Sequence, residues 1–156
     1  MFLSKLSLVL CIFAFGQINA QSYNFPKLNL TVSWTVNKNT TKFTLVHNKT
    51  DFSNRWIAVG INTKEEMNGG NALICFFDNS TGNWVGHYHL DGATPKLFDE
   101  SKPGFGIKNS SVTDLGKEAI CTFERENYLD RDRYLDSVQD LFVLAAMSKV
   151  KSGYRY

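Results

Sequence analysis

Two histidines and one methionine are the side chains of this sequence best suited to holding a metal or a cofactor. His87 and His89 are two residues apart in a segment that reads as a strand, so they point to the same side of it. Such a pair can bind a transition metal when a third ligand is present, but none is apparent; otherwise both are surface residues. Met67 stands in a glycine-bearing loop between two apolar segments, where it either binds a ligand or fills a packing gap.

Signatures of catalysis are missing from the sequence. There is no Gly-x-Ser-x-Gly elbow, no His-Glu-x-x-His and no phosphate-binding loop. Glu65 and Glu66 are adjacent in a loop, so their carboxylates diverge and do not form a catalytic pair. We therefore expect a protein without catalytic chemistry of its own.

The first 20 residues predict a secretory signal peptide. Lys5 precedes an apolar run from Leu6 to Phe15, and Ala20 offers a small residue for cleavage. About 10 apolar residues are too few to span a membrane core that needs ~20. The predicted mature chain, residues 21–156, forms one domain, and we expect it to be secreted into the extracellular space. The formal charge of the whole sequence is only +2, which favours neither nucleic acid nor a membrane surface as a partner.

Two cysteines remain after the signal peptide, which takes Cys11 with it. Cys75 and Cys121 are an even pair in an oxidising compartment, which favours one disulfide between them. It would close a loop of about 46 residues and stabilise the fold by roughly 3–4 kcal/mol. Two separate buried thiols are the alternative, and a metal site is disfavoured because no Cys-x-x-Cys spacing exists.

Five Asn-x-Ser/Thr sequons predict a glycoprotein whose glycosylated residues lie at the surface, although not every sequon need be occupied. They begin at Asn29, Asn39, Asn48, Asn79 and Asn109.

Short apolar segments separated by turns predict an all-β protein. Residues 28–36 alternate strictly, with Leu28, Leu30 and Val32 on one face. Further strands are predicted at 42–47, 56–61, 72–78, 83–90, 107–113 and 117–124, and a central strand buried on both faces at 141–147. Residues 91–106 and 126–139 read as loops, and His47 as a surface residue at a strand end. With almost no helical periodicity, this pattern favours an antiparallel β-sandwich.

Three segments together resemble the DOMON domain family. Trp56-Ile-Ala-Val-Gly60 followed by Met67 and two glycines, then Ile120-Cys-Thr-Phe-Glu-Arg125, and finally Leu141-Phe-Val-Leu-Ala-Ala146 are similar to its pattern. The second segment is closest to DOMON domains of ferric-chelate-reductase-like proteins. The resemblance covers residues 25–150 and implies an immunoglobulin-like sandwich.

The resemblance also implies a role for Met67. In haem-binding DOMON domains the methionine of this loop is an axial ligand of a b-type haem, and a histidine after the Leu-Ala strand is the other. This sequence has no histidine after His89, so His87 or His89 would have to replace it. Asn71 stands where the family often has Asp.

Two functions follow as hypotheses. The first is a secreted module that binds haem or a sugar-like small molecule without chemistry of its own. In this hypothesis Trp84 would stack on a sugar ring, unless it only covers a neighbouring strand. The second is an electron-transfer domain with haem b and Met67 as ligand, which serves a separate extracellular redox or matrix partner.

Overall fold

The computed structural model of the protein describes residues 9–11, 20–48, 54–92, 94–137 and 141–149. These residues form eleven antiparallel strands and one 3₁₀ turn, Pro26–Leu28. The strands are β1 (Val9–Cys11), β2 (Gln21–Phe25), β3 (Leu30–Val36), β4 (Thr40–Asn48), β5 (Arg55–Asn62), β6 (Asn71–Phe77), β7 (Trp84–Asp91), β8 (Thr94–Leu97), β9 (Ile107–Asp114), β10 (Glu118–Glu126) and β11 (Phe142–Lys149).

The strands are arranged in two sheets. The six-stranded sheet has the order β1-β11-β5-β6-β7-β8, and the five-stranded sheet has the order β2-β3-β4-β10-β9. This is the predicted β-sandwich, and the all-β prediction is confirmed. Within the described residues, no helix is of a length and apolarity that would let it cross a membrane. Of the predicted signal peptide, residues 1–8 and 12–19 lie outside the described residues. The strand β1 belongs to the same peptide and is described.

The core between the sheets follows from the alternation of the strands. On β3, Leu30 and Val32 are completely buried, and on β10 the same holds for Cys121 and Phe123. The threonines and serines between these residues point to the other side, where β-branched and hydroxyl side chains are well tolerated. Phe43 and Phe123 stack across the paired strands β4 and β10, with ring centroids 5.4 Å apart.

The predicted disulfide is present. Cys75 on β6 and Cys121 on β10 are bonded, so one covalent link joins the two sheets through the core. Both cysteines have no exposed surface.

Three predictions of local structure were wrong. The segment 91–106 is not all loop, since β8 forms within it as a short edge strand beside β7. His47 is buried, because it falls in the inward phase of β4 together with Phe43 and Leu45. The predicted strand at Leu28 begins two residues later, since Asn29 has a left-handed φ of 49° and ends the 3₁₀ turn.

The last predicted strand is confirmed in position but not in full burial. β11 lies between β5 and the three-residue β1, and of its side chains Leu144 and Ala145 are buried. The predicted loop after β10 is free of strands over residues 127–137; residues 138 and 139 lie outside the described part of the chain.

Candidate functional site

The outer face of the six-stranded sheet, which points away from the other sheet, carries a second cluster of buried apolar side chains. Successive strands of an antiparallel sheet place paired residues in rows across it. One row contains Trp56, Phe76 and Trp84, which are register partners on β5, β6 and β7. Phe76 and Trp84 stack with ring centroids 4.3 Å apart. Trp84 thus covers its neighbouring strand. The aromatic row borders a cavity on the same face of the sheet.

The two rows beside the aromatic row are built largely from small residues. Gly60 pairs with Ala72 on one side and Leu144 on the other, and Ala58 pairs with Ala146. These small side chains leave a cavity of about 160 Å³ above the sheet. The cavity is lined by Trp56, Ala58, Gly60, Met67, Ala72, Ile74, Phe76, Tyr88, Leu90, Pro95, Leu144, Ala145 and Ala146.

Gly86 lets two aromatic rings come together beside the cavity. A Cβ atom at this position would lie 2.6 Å from Cε2 of Tyr88 and 2.8 Å from Cζ3 of Trp84. Those distances are closer than real contacts allow, so Tyr88 can reach toward Trp84 only because residue 86 has no side chain. Tyr88 therefore lies beside the aromatic row and extends it into the cavity.

Met67 contributes to the cavity from the loop between β5 and β6. The loop is fastened to β7, because Gly69 N–H donates to the Leu90 carbonyl at 3.0 Å and Leu90 N–H donates to the Gly70 carbonyl at 2.8 Å. The side chain of Asn62 donates to the Glu66 carbonyl at 2.6 Å and closes the loop on itself. Met67 is half-buried against the apolar outer face. Its thioether is therefore held over the cavity by a defined backbone.

The two predicted histidine ligands lie on the other side of β7. Strand residues alternate between faces, and Tyr88 and Leu90 line the cavity, whereas His87 and His89 do not. His87 is completely buried in contact with the ring of Phe98, with centroids 4.6 Å apart. The structure therefore does not bring His87 or His89 together with Met67, and the alternative prediction of a surface residue is wrong for His87.

His87 is held neutral by its surroundings. Its Nδ1–H donates to the Phe105 carbonyl at 2.8 Å, which leaves Nε2 as the acceptor facing Nε–H of Arg125 at 3.5 Å. Burial, and then the positive charge of Arg125, lower the pKa of His87 to about 3. His89 is partly exposed beside Arg133, with Nη1 of Arg133 3.4 Å from its Nδ1; burial, then Arg133, lower its pKa.

The pKa of His87 predicts a loss of stability in mild acid. An unfolded histidine takes up its proton near pH 6.5, whereas His87 in the fold stays neutral down to about pH 3. Stability is then complete above pH 6.5 and falls as the pH drops below it, by about 2 kcal/mol between about pH 7 and about pH 5. Urea unfolding at several pH values measures this. His87→Gln, which cannot titrate, should show a clearly smaller loss over the same range; an equal loss would contradict the assignment.

Arg125 has a structural role in the fold that was not predicted from the sequence. It is completely buried in the inward phase of β10, and its guanidinium lies 4.1 Å from the ring centre of Tyr134. Its Nη2 donates to Asn71 Oδ1 at 3.0 Å and to the Leu135 carbonyl at 2.5 Å, and Nη1 donates to the Ser137 hydroxyl. Burial lowers the pKa of Arg125 to about 10, so it stays charged at neutral pH.

Asn71 completes this cluster from the end of β6. Its Oδ1 also accepts from Leu135 N–H at 2.9 Å, and its Nδ2 donates to the Arg133 carbonyl at 2.8 Å. Arg125 and Asn71 together therefore fasten the segment 127–137, which we call the clamped loop, onto the sandwich. The strict alternation Ala119, Cys121, Phe123, Arg125 was the signal in the sequence, because it places Arg125 on the inward face.

The donor atoms near the cavity limit its metal chemistry. Among the described residues no group of three or more His, Cys, Asp or Glu side chains could hold a metal ion. Within the cavity lining, Met67 supplies the sulfur and Tyr88 the one phenolic oxygen, and the lining contains no histidine. The described site can therefore offer at most a methionine sulfur and a phenol to a haem iron.

All five predicted glycosylation residues are exposed. Asn29, Asn39, Asn48 and Asn109 lie on the strands of the five-stranded sheet or in the turns next to them. Asn79 lies in the turn between β6 and β7, where the carboxylate of Asp78 accepts from Ser80 and Thr81. The sequon positions thus leave the apolar outer face clear.

Comparison with known proteins gives one result. The model of the family described as DOMON domain matches residues 26–148. No curated protein matches the chain significantly. The match spans the cavity, the disulfide and the clamped loop.

Proposed function

This chain belongs to the DOMON domain family, and we propose that it is an extracellular module that binds a flat, largely apolar small molecule on the outer face of its six-stranded sheet. Haem b is the first candidate for this ligand and a sugar ring the second. The observation that carries the proposal is the cavity itself, in which small residues are bordered by the aromatic row and by Met67.

The shape of the cavity suits a planar guest. Gly60, Ala72 and Ala58 keep the surface of the sheet low, so a ring system can approach the strands. Trp56, which is half-buried at the cavity, offers a ring face for stacking, which is worth about 0.5–1.5 kcal/mol for each aromatic contact beyond the area buried. Because polar groups are few among the lining residues, the site favours haem over a free sugar, which needs several hydrogen bonds.

The donor set favours a haem that is only bound over an electron-transfer haem. The apolar lining and the sulfur of Met67 support a haem held mainly by apolar contacts with one sulfur donor. A Met/His pair does not fit, because His87 and His89 lie on the opposite face of β7. The cavity lining therefore supplies no histidine partner to Met67 for an electron-transfer haem. The electron-transfer alternative retains one supporting observation, the position of Met67 over the cavity.

Filling the cavity should weaken binding. Ala72→Phe places a ring where the guest would lie, and we expect haem affinity to fall at least about tenfold, which corresponds to about 1.4 kcal/mol. Isothermal titration with haem and with monosaccharides measures it. Thr44→Phe is the matched control, since Thr44 is half-buried on a central strand of the five-stranded sheet and faces away from the cavity. Equal affinity in wild type and Ala72→Phe would place the ligand elsewhere.

Substitution of Met67 and the absorption bands of bound haem distinguish the two proposed functions. In the binding module, Met67→Leu keeps the apolar contact and should bind haem with an affinity within a few-fold of wild type, while the absorption bands of the iron change. The electron-transfer alternative requires sharp α and β bands of a six-coordinate haem in the reduced wild-type protein. Failure to take up haem or any monosaccharide would refute the proposed ligand classes together.

A further inference from the structure

The edges of the two sheets are protected to very different degrees. An open edge strand pairs readily with another chain, so proteins blunt their edges with charges, proline, bulges or short length. β2 and β9 bound the five-stranded sheet, and β8 and β1 bound the six-stranded sheet. β1, however, is three residues long and lies inside the predicted signal peptide. Its removal would make β11 the edge.

Three of these edges carry protection. β9 is polar and exposed, has Lys108 and the sequon residue Asn109 with a left-handed φ of 50°, and its pairing with β10 contains an irregularity. β8 has four residues, two of which are Pro95 and Lys96. β2 has five residues and begins with the polar pair Gln21-Ser22. Each edge is therefore a poor template for another strand.

β11 has none of this protection. Its first six residues, Phe142 to Met147, contain no charge and no proline, and its one charge is Lys149 at the end. Leu144 and Ala145 are only 3% and 1% exposed in a structure in which β1 lies alongside them. The pairing of Val9 with Ala145, and of Cys11 with Val143, shows that this edge accepts an antiparallel strand.

We propose that, once the signal peptide has been removed, β11 pairs antiparallel with β11 of a second copy of this chain. The proposal rests on the predicted cleavage. A strand that pairs antiparallel with its own copy forms a two-fold symmetric contact, in which each open edge satisfies the other. The uncharged centre of β11 brings no like charges together, and antiparallel pairing puts the two Lys149 residues at opposite ends of the contact. No sequon lies on β11 or β5 to obstruct it.

This pairing would also change the ligand site. Leu144 and Ala146 of β11 line the cavity, so the cavities of the two copies would lie next to each other at the symmetry axis. A cavity of about 160 Å³ is smaller than the ~300–1,000 Å³ of typical small-molecule sites. The second copy would therefore enlarge the surface offered to a planar ligand.

The test is the mass of the protein as it is secreted. The full chain is expressed in a eukaryotic secretory host, its N-terminus is sequenced, and its mass is measured by light scattering after glycan removal. We expect a cleaved chain with twice the mass of one copy over a wide range of concentration. A single-copy mass, or an N-terminus that retains residues 9–11, would overturn the proposal. The result is independent of haem binding, which Ala72→Phe tests on an interior strand.

Charge substitutions at the edge give a second readout that misfolding cannot imitate. With the two-fold axis at the centre of β11, the two residues 146 are diagonal neighbours across the pair. Ala146→Lys and Ala146→Glu therefore each place like charges near each other, so each variant alone should have the single-copy mass. An equal mixture of the two should recover the double mass, because opposite charges then face each other. Thr122→Lys, on the outer face of the five-stranded sheet, is the matched control and should keep the double mass. An unchanged mass for both Ala146 variants would contradict pairing through β11.

Discussion

Arg125→Met is expected to lower the free energy of unfolding by about 3 kcal/mol and to release the clamped loop, residues 127–137. The substitution keeps a long apolar stem but removes the donor to the Leu135 carbonyl and one of the two donors to Asn71 Oδ1. A buried polar atom left without its partner costs about 1–3 kcal/mol, and several are affected here. The variant no longer buries the positive charge of Arg125, which offsets part of this cost. We therefore expect a loss near the lower end of the summed penalties for the unpaired polar atoms.

The release of the loop has its own measurement. Arg131 and Arg133 are exposed within the clamped loop and are sites for trypsin, so limited proteolysis should cut the Arg125→Met protein there well before wild type. Arg125→Lys is the matched variant, because it keeps the charge but cannot reach Asn71, Leu135 and Ser137 together. We expect it to be cut nearly as fast. Wild-type resistance in the Lys variant would show that charge alone, and not the planar fork, holds the loop.

Removal of the disulfide is expected to have the largest effect on stability. The bond between Cys75 and Cys121 closes a loop of 46 residues. Constraint of the unfolded chain by a loop of this length is worth about 4 kcal/mol in the chain-entropy model. The double variant Cys75→Ala/Cys121→Ala should lose this amount, together with a smaller term for the two sulfur atoms missing from the core.

Guanidinium unfolding of the double variant, beside wild type with and without reductant, measures the effect. Reduced wild type controls for the missing sulfur atoms, since it retains both side chains and lacks only the bond. A loss below about 1 kcal/mol in both samples would mean that the unfolded chain is already compact around these residues.

The fold could be predicted from the sequence because its signals are local. Alternation in residues 28–36 predicted an inward face, short apolar segments such as 117–124 predicted further strands, and the even number of cysteines predicted the disulfide. β8 escaped prediction because it has four residues, including a proline, and exists only by pairing with β7. His47 was misjudged because its position at the end of a strand does not reveal that it falls in the inward phase of β4, between β3 and β10.

The site was predictable only in part, because much of it depends on contacts between residues distant in the chain. The sequence singled out Met67 and the Trp56–Gly60 segment, both of which line the cavity. All seven residues of β6 are buried, so its apolar run did not reveal that alternate residues face two different apolar surfaces. Likewise, the sequence shows that His87 and His89 share a face, but only the packing of β7 against residues distant in the chain decides which face that is. The partners of Arg125 lie up to 54 residues away along the chain, beyond any local pattern.

The positions of the three tryptophans give the protein a built-in optical reporter. Trp56 lines the cavity and Trp84 stands beside it in the aromatic row, whereas Trp34 lies on β3 in the opposite sheet. A light-absorbing guest such as haem would quench the emission of the first two strongly and that of Trp34 less, since energy transfer weakens steeply with distance. Trp34→Phe would then leave a protein whose whole tryptophan emission reports occupancy, whereas Trp56→Phe/Trp84→Phe would leave one that reports only the integrity of the sandwich.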